Sequence, residues 1–227
     1  MSVQPVRRTS LIAQVTEQLR AEVRSGRWPI GTRIPTEPEL TEMTGTGRNT
    51  VREAVQALVH AGMLQRRQGS GTYVVAGSEV GGTLSKYFAD ARDRDVLELR
   101  LSLESTAAGL AARRRDDNDI AELRRLLDTR IAQQWRLDDE AVATDVALHR
   151  AVVAASHNAV YIEFYDSLLP HIEAVNRAHS EQTARAYVDE HIELVEAIIE
   201  GDPERATGVV RRFLAEALAN YPDPDIL

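Results

Sequence analysis

A chain of 227 residues, 43% hydrophobic and 27% charged, is long enough for two ordinary domains and too apolar to stay disordered. It has no cysteine, which excludes disulfides, thiolate metal sites and cysteine nucleophiles. Its first residues carry no apolar signal core and no apolar run reaches membrane-spanning length, so a cytoplasmic protein with no membrane partner is expected. The net charge of −8 hides a division: residues 1–76 hold ten arginines and six glutamates, a local +4, and the other 151 residues carry −12. Segments of opposite sign predict separate jobs, the basic one facing a polyanion.

Helical spacing first appears at Leu11, Ile12, Val15, Leu19 and Val23, with Ser10 as N-cap and Ser25-Gly26 as the stop. The chain turns through Trp28 to Gly31, and Arg33-Ile34 reads as a short strand. Thr36 and Glu39 form a capping box for a second helix, with Pro38 in its first turn and Leu40 and Met43 expected to face inward. Gly45 ends that helix, and a third follows at once. Its residues Val51, Ala54, Val55 and Leu58 recur at i, i+3, i+4 and i+7, a stripe that buries one face. Arg48 and Arg52, four apart, project together from a neighbouring face. Arginine forks match guanine edges and phosphates, and the start of a recognition helix is what reaches the major-groove floor. Helix, glycine turn, helix is the helix-turn-helix pattern.

Residues 63–67 and 72–75 read as two strands joined by Gln68-Gly69-Ser70-Gly71, a hairpin that forms a wing. Arg66, Arg67 and Gln68 are placed there for phosphate or minor-groove contact. The glycines are no nucleotide cradle, because no G-x-x-x-x-G-K-[ST] run exists and they precede a strand. Small and polar residues from Ala76 to Gly82 mark a linker, taken as residues 77–92. Beyond it helices are predicted over 95–113, 117–131, 139–155, 158–178, 181–200 and 203–221, with Pro170 expected to kink or break the fourth and Asp202-Pro203 opening the last. The predicted architecture is mainly α. A winged helix-turn-helix over residues 1–76 precedes an all-helical antiparallel bundle over residues 93–227, whose core is a common place for ligands.

The runs Gly26 to Glu37, Glu39-Leu40, Arg48-x-x-Val51-Arg52-Glu53-Ala54-Val55 and Gln68 to Val74 together resemble the winged helix-turn-helix of the GntR family of bacterial transcription regulators. Leu99-Arg100-x-x-x-Glu104, Asp145-x-x-x-His149, Asn158, Glu190-His191, Ala197 and Gly201-Asp202 are similar to landmarks of the FCD ligand-binding domain of its FadR-like branch. The resemblance implies a homodimeric repressor or activator whose binding to a palindromic double-stranded DNA operator responds to a small effector. It implies DNA contacts from Arg48 and Arg52, with Asn49, Thr50 and Gly69 where further contacts occur. Gly47 stands where the family usually has Ser or Thr, and Thr46 is expected to supply that hydroxyl. Pro38 replaces a frequent Arg, which removes one backbone contact.

Asp145 and His149 are one helical turn apart and share a face, and His191 lies on another helix. In metal-binding relatives an Asp and three His hold a divalent ion, so the resemblance implies a metal site at Asp145, His149 and His191. The third histidine would fall where Phe213 stands. The remaining set suits Zn²⁺ or Ni²⁺ with solvent or effector completing the shell, and His171 and His179 are the spare imidazoles. Without a metal the three are polar residues lining an effector pocket. Arg100 is either a clamp for an effector carboxylate, which favours an organic acid, or the i+4 partner of Glu104. A metalloenzyme or metal-sensing bundle is the alternative, but the paired Glu-x-x-His and His-Glu-x-x-His motifs such an enzyme wants are absent from the sequence.

Overall fold

The structure is a computed structural model that describes residues 10–133, 135, 136, 138–178 and 187–221. The chain divides into two compact units, one running through Lys86 and the other starting at Tyr87. The first unit opens with α1 (Leu11–Arg24), whose first turn is capped by the Ser10 hydroxyl accepting from the Ala13 N–H at 3.2 Å. Next come α2 (Glu37–Thr44), started by the Glu39 carboxylate taking the Thr36 N–H at 2.7 Å, and α3 (Arg48–His60). The turn between α2 and α3 needs a left-handed residue, and Gly45 supplies it at φ 62°.

One core holds these helices together: Val15, Leu19 and Val23 of α1, Leu40 of α2 and Val51, Ala54, Val55 and Leu58 of α3. Leu58 is wholly buried, and burial of such a side chain contributes about 1.5–3 kcal/mol. Met43 departs from the expected inward face and is 65% exposed, because α2 is only eight residues long and Leu40 alone carries its buried contact. The strands β1 (Leu64–Arg67) and β2 (Gly71–Val74) pair antiparallel in the register Leu64↔Val74 to Arg67↔Gly71. Thr32 and Ile34 hydrogen-bond along the other edge of β2, and Arg33 bridges to Tyr73.

Residues expected as linker form instead α4 (Glu79–Ala89). Its buried Gly82 lies so close to Gly62, just after α3, that an added Cβ would stand 2.6 Å from the Gly62 carbonyl carbon. An ion pair from Arg20 of α1 to Glu79 fastens the same end of α4 to the first unit.

The second unit contains α5 (Asp93–Arg114), α6 (Asp117–Ala132), α7 (Asp139–Ala154), α8 (Ala159–Ala178), α9 (Val188–Glu200) and α10 (Pro203–Ala219). The long α5 runs along α10 and also packs on α7, α8 and α9. Small residues Ala107, Ala108, Ala111 and Ala112 on α5 allow this close approach, and Leu123, Leu148, Leu194, Ile198 and Phe213 fill the core around them. Pro170 does not break α8, which continues through it. The missing proline N–H costs one rung of the ladder at Asp166, and packing of Leu168 and Ile172 holds the helix on both sides. The expected start of α9 at residue 181 falls outside the described residues.

Candidate functional site

The exposed end of α3 carries the first group of expected site residues. Arg48 is its first residue, Asn49 its second, and Arg52 follows one turn later, all three exposed, with Thr50 half-buried. Neither Arg48 nor Arg52 is in an ion pair among the described residues. Thr46 does not replace the missing cap: its hydroxyl lies 2.9 Å from that of Thr44, and the N-cap is Gly47 with no side chain to offer. An uncapped first turn leaves N–H groups and the positive helix end toward solvent, which suits a phosphate. On the wing Gln68 and Gly69 are exposed, with Gly69 at φ 72°, and Arg66 and Arg67 are exposed beside them.

The second group lies inside the helical unit, with Arg100, His149 and His191 buried and Asp145 half-buried, and the structure brings all of it together. Asp145, His149 and His191 offer ligand atoms that all lie within 4.8 Å of one another. The Nε2 atoms of His149 and His191 are 3.0 Å apart, and the Asp145 carboxylate lies 3.4 Å from His191 Nε2. Phe213, standing where a third imidazole was sought, packs its ring 5.4 Å from His149 and 5.9 Å from His191. The spare histidines do not restore the set. His171 hydrogen-bonds Asp93 at 3.0 Å, and His179 lies outside the described residues.

Glu104, expected only as the partner of Arg100, and two residues that sequence spacing left unassigned, Tyr165 and Arg130, surround this cluster. Glu104, 1% exposed, accepts from Arg100 Nε at 2.6 Å, from the Tyr165 hydroxyl at 2.7 Å and from His149 Nδ1 at 2.8 Å. Burial alone would raise the Glu104 carboxyl, but Arg100 and then His149 outweigh it and hold it well below the usual carboxylate range. An ionised carboxylate only accepts, so His149 donates to it from Nδ1. Such a carboxylate–histidine pair is the usual support behind a metal-ligating imidazole. Arg130, also buried, donates from Nε to Asp145 at 3.2 Å. Burial pushes the Asp145 carboxyl up, and His191, His149 and Arg130 more than reverse this, so it too stays ionised.

His191 completes the arrangement. Burial drives its imidazole down to about 4, so it is neutral at neutral pH. Its Nε2 meets His149 Nε2 at 3.0 Å, a contact in which either ring can be the donor. Two imidazole nitrogens and a carboxylate thus converge on one place. With the proton of each ring on Nδ1, all three would face a common point as electron-pair donors, the demand a divalent cation satisfies, so the donor set fits such an ion. The cluster opens into a cleft where Leu97, Val175, Tyr187 and Leu214 supply apolar walls and Asn176 and Asn220 supply amides. Arg100 lines this cleft while forming the i+4 pair with Glu104, so both of its sequence readings concern the same place.

Residues 11–74 match the family described as bacterial regulatory proteins, gntR family, and residues 95–216 match the FCD domain. The putative L-lactate dehydrogenase operon regulatory protein of Escherichia coli K12 is 28% identical, covering 89% of this chain and 83% of that protein. The HTH-type transcriptional repressor NanR of Klebsiella aerogenes is 29% identical, covering 96% of this chain and 87% of its own length. Among solved structures, Streptococcus agalactiae GntR superposes with a TM-score of 0.59 at 26% identity, over 92% of this chain and 99% of that one. E. coli McbR/YncC shares the fold with a TM-score of 0.51 at 22% identity, over 94% and 97% of the two chains. Among the described residues no helix is long and apolar enough to cross a membrane. The two matched segments together span both compact units: the chain belongs to the GntR family, as a DNA-binding, ligand-responsive transcriptional regulator with a C-terminal FCD domain, and is not an enzyme.

Proposed function

We propose that this regulator is a cytoplasmic repressor of the FadR-like branch that binds a palindromic operator as a homodimer and responds to a small organic acid held in its FCD domain beside Zn²⁺ or Ni²⁺. Repression is favoured by the relative named as a transcriptional repressor. The observation that carries the effector half is the convergence of Asp145, His149 and His191 at the floor of a cleft. Charge supports the metal. The buried cations Arg100 and Arg130 are already paired with Glu104 and Asp145, and His191 is neutral. A carboxylate entering the cleft therefore meets no uncompensated cation among these residues unless a divalent ion is bound, and that ion would act as the Lewis acid that receives it. Asp145, His149 and His191 would hold the ion, Glu104 would orient His149, and the apolar walls would keep bulk water out.

Two experiments test this reading. Arg48→Ala and Arg52→Ala should each weaken binding about 10–100-fold to a duplex enriched by the wild-type protein from a randomised library, with unchanged circular dichroism. Footprints identical to wild type for both variants would sink the assignment of α3 as the reading head. Elemental analysis of the purified full chain should find about one Zn or Ni per chain, lost in His149→Ala and His191→Ala. A metal-free wild-type protein that gives no calorimetric heat with either ion would remove the metal from the proposal and leave the cleft as a purely organic site.

A further inference from the structure

The two neighbouring arginines of the wing leave β1 in opposite directions. Alternation puts Leu64 and Val74, 2% and 0% exposed, on the inner face of the hairpin, and Arg66 with its partner Thr72 on that same face. Arg66 reaches back from there to the first turn of α2, where its Nη2 meets Glu37 Oε1 at 3.0 Å. Gln65, Arg67 and Tyr73 share the outer face. The Arg67 guanidinium carbon lies 4.3 Å from the centroid of the Tyr73 ring, and its Nε is 3.5 Å from Gln65 Oε1. No carboxylate pairs with Arg67 among the described residues. Tyr73 is itself held at both ends. Its backbone bridges to Arg33, and its hydroxyl lies 2.7 Å from that of Ser70 in the wing turn.

We propose that Tyr73 is the positioning residue of the wing: it stations Arg67 for entry into the minor groove, while Arg66 ties the wing to α2 and does not read DNA. An arginine loses freedom when it docks, and a ring that already fixes its plane lowers that loss. Stacking occupies one face of the guanidinium and leaves its edge nitrogens for phosphate or base. The negative potential of a narrow minor groove favours an arginine that brings no counter-carboxylate with it. Arg66 does bring one, Glu37, and moving it to DNA would strand that carboxylate beside a polyanion. The proposal rests on the reading that α3 and the wing face duplex DNA.

The test is fluorescence anisotropy of the full-length protein on the duplex selected from the randomised library, over a salt series. Arg67→Ala is expected to weaken binding about tenfold and to lower the salt slope by about one. Tyr73→Leu should weaken it about two- to fivefold, the range of an exposed cation–π contact, and should add nothing in the Arg67→Ala background. Tyr73→Phe keeps the ring and should stay within about twofold of wild type, as should Arg66→Ala with an unchanged salt slope. A Tyr73→Leu loss that persists without Arg67, or an Arg66→Ala loss equal to that of Arg67→Ala, overturns the assignment. Because Arg66 and Arg67 are exposed, their variants keep the test valid even if Tyr73→Leu folds poorly. Arg48→Ala run in parallel separates the two failures: if it loses binding while Arg67→Ala does not, only the wing proposal falls.

Discussion

Glu104→Gln is expected to destabilise the helical unit by about 3–5 kcal/mol, the cost of removing one partner from a buried ion pair. The change keeps the shape of the side chain and removes its charge, so Arg100, 4% exposed, is left as an uncompensated cation in the core. It also reverses a hydrogen bond. An amide NH₂ turned toward His149 Nδ1 donates where the carboxylate accepted, so Nδ1 must give up its proton and the ring keeps one on Nε2, facing Asp145 and His191. Thermal unfolding should show the loss of stability, and nitrogen-15 shifts of His149 should show the change of tautomer. Tyr165→Phe is the control. It removes one donor to Glu104 while Arg100 and His149 remain, and should cost only about 1–2 kcal/mol with the tautomer unchanged. A Glu104→Gln protein that unfolds within 1 kcal/mol of wild type, on the scale of a single ordinary hydrogen bond, would show that the network is not what holds the cluster.

Gly82→Ala is expected to destabilise the first unit at the upper end of about 1–3 kcal/mol, the range for overpacking. Inside a helix this substitution ordinarily stabilises by close to 1 kcal/mol, so the sign of the effect is itself the evidence. The new methyl would stand 2.6 Å from the Gly62 carbonyl carbon, and the obstacle is backbone on both sides, with no side chain able to swing away. Relief requires the first turns of α4 to lift off, which should speed amide exchange in residues 79–86 ahead of global unfolding. Gly77→Ala, where nothing lies within 4 Å of the added carbon, should stay within about 0.5 kcal/mol of wild type. Equal stability of the two variants would refute the close contact.

Helix α3 was legible because everything that defines it lies within fifteen residues: a stripe of small and branched apolar residues, and two arginines off that stripe. Asp145 and His149 were legible for the same local reason, four residues apart on one helix. Their meeting with His191 depends on how α7 and α9 pack, which spacing alone does not encode. Glu104 was read only as the i+4 partner of Arg100, because a Glu four residues after an Arg looks like solvated surface, and Tyr165 carried no local signal. In fact the buried stripe of α5 runs Leu97, Arg100, Glu104, Ala108 and Ala111, straight through the charged pair. Leu101 and Leu103, which look like core, are only half-buried. The helix α4 was misread for a related reason. Its two glycines lower helix propensity, and the contact that compensates is with Gly62, twenty residues earlier.

Of the 27 basic residues in the sequence, 26 are arginine, and the one lysine, Lys86, sits exposed on α4. Amine-directed chemistry on the intact chain therefore marks, besides the terminal amino group, this helix alone. A dye placed there by simple acylation would sit on the last residue of the first compact unit, and no cysteine need be introduced to install it.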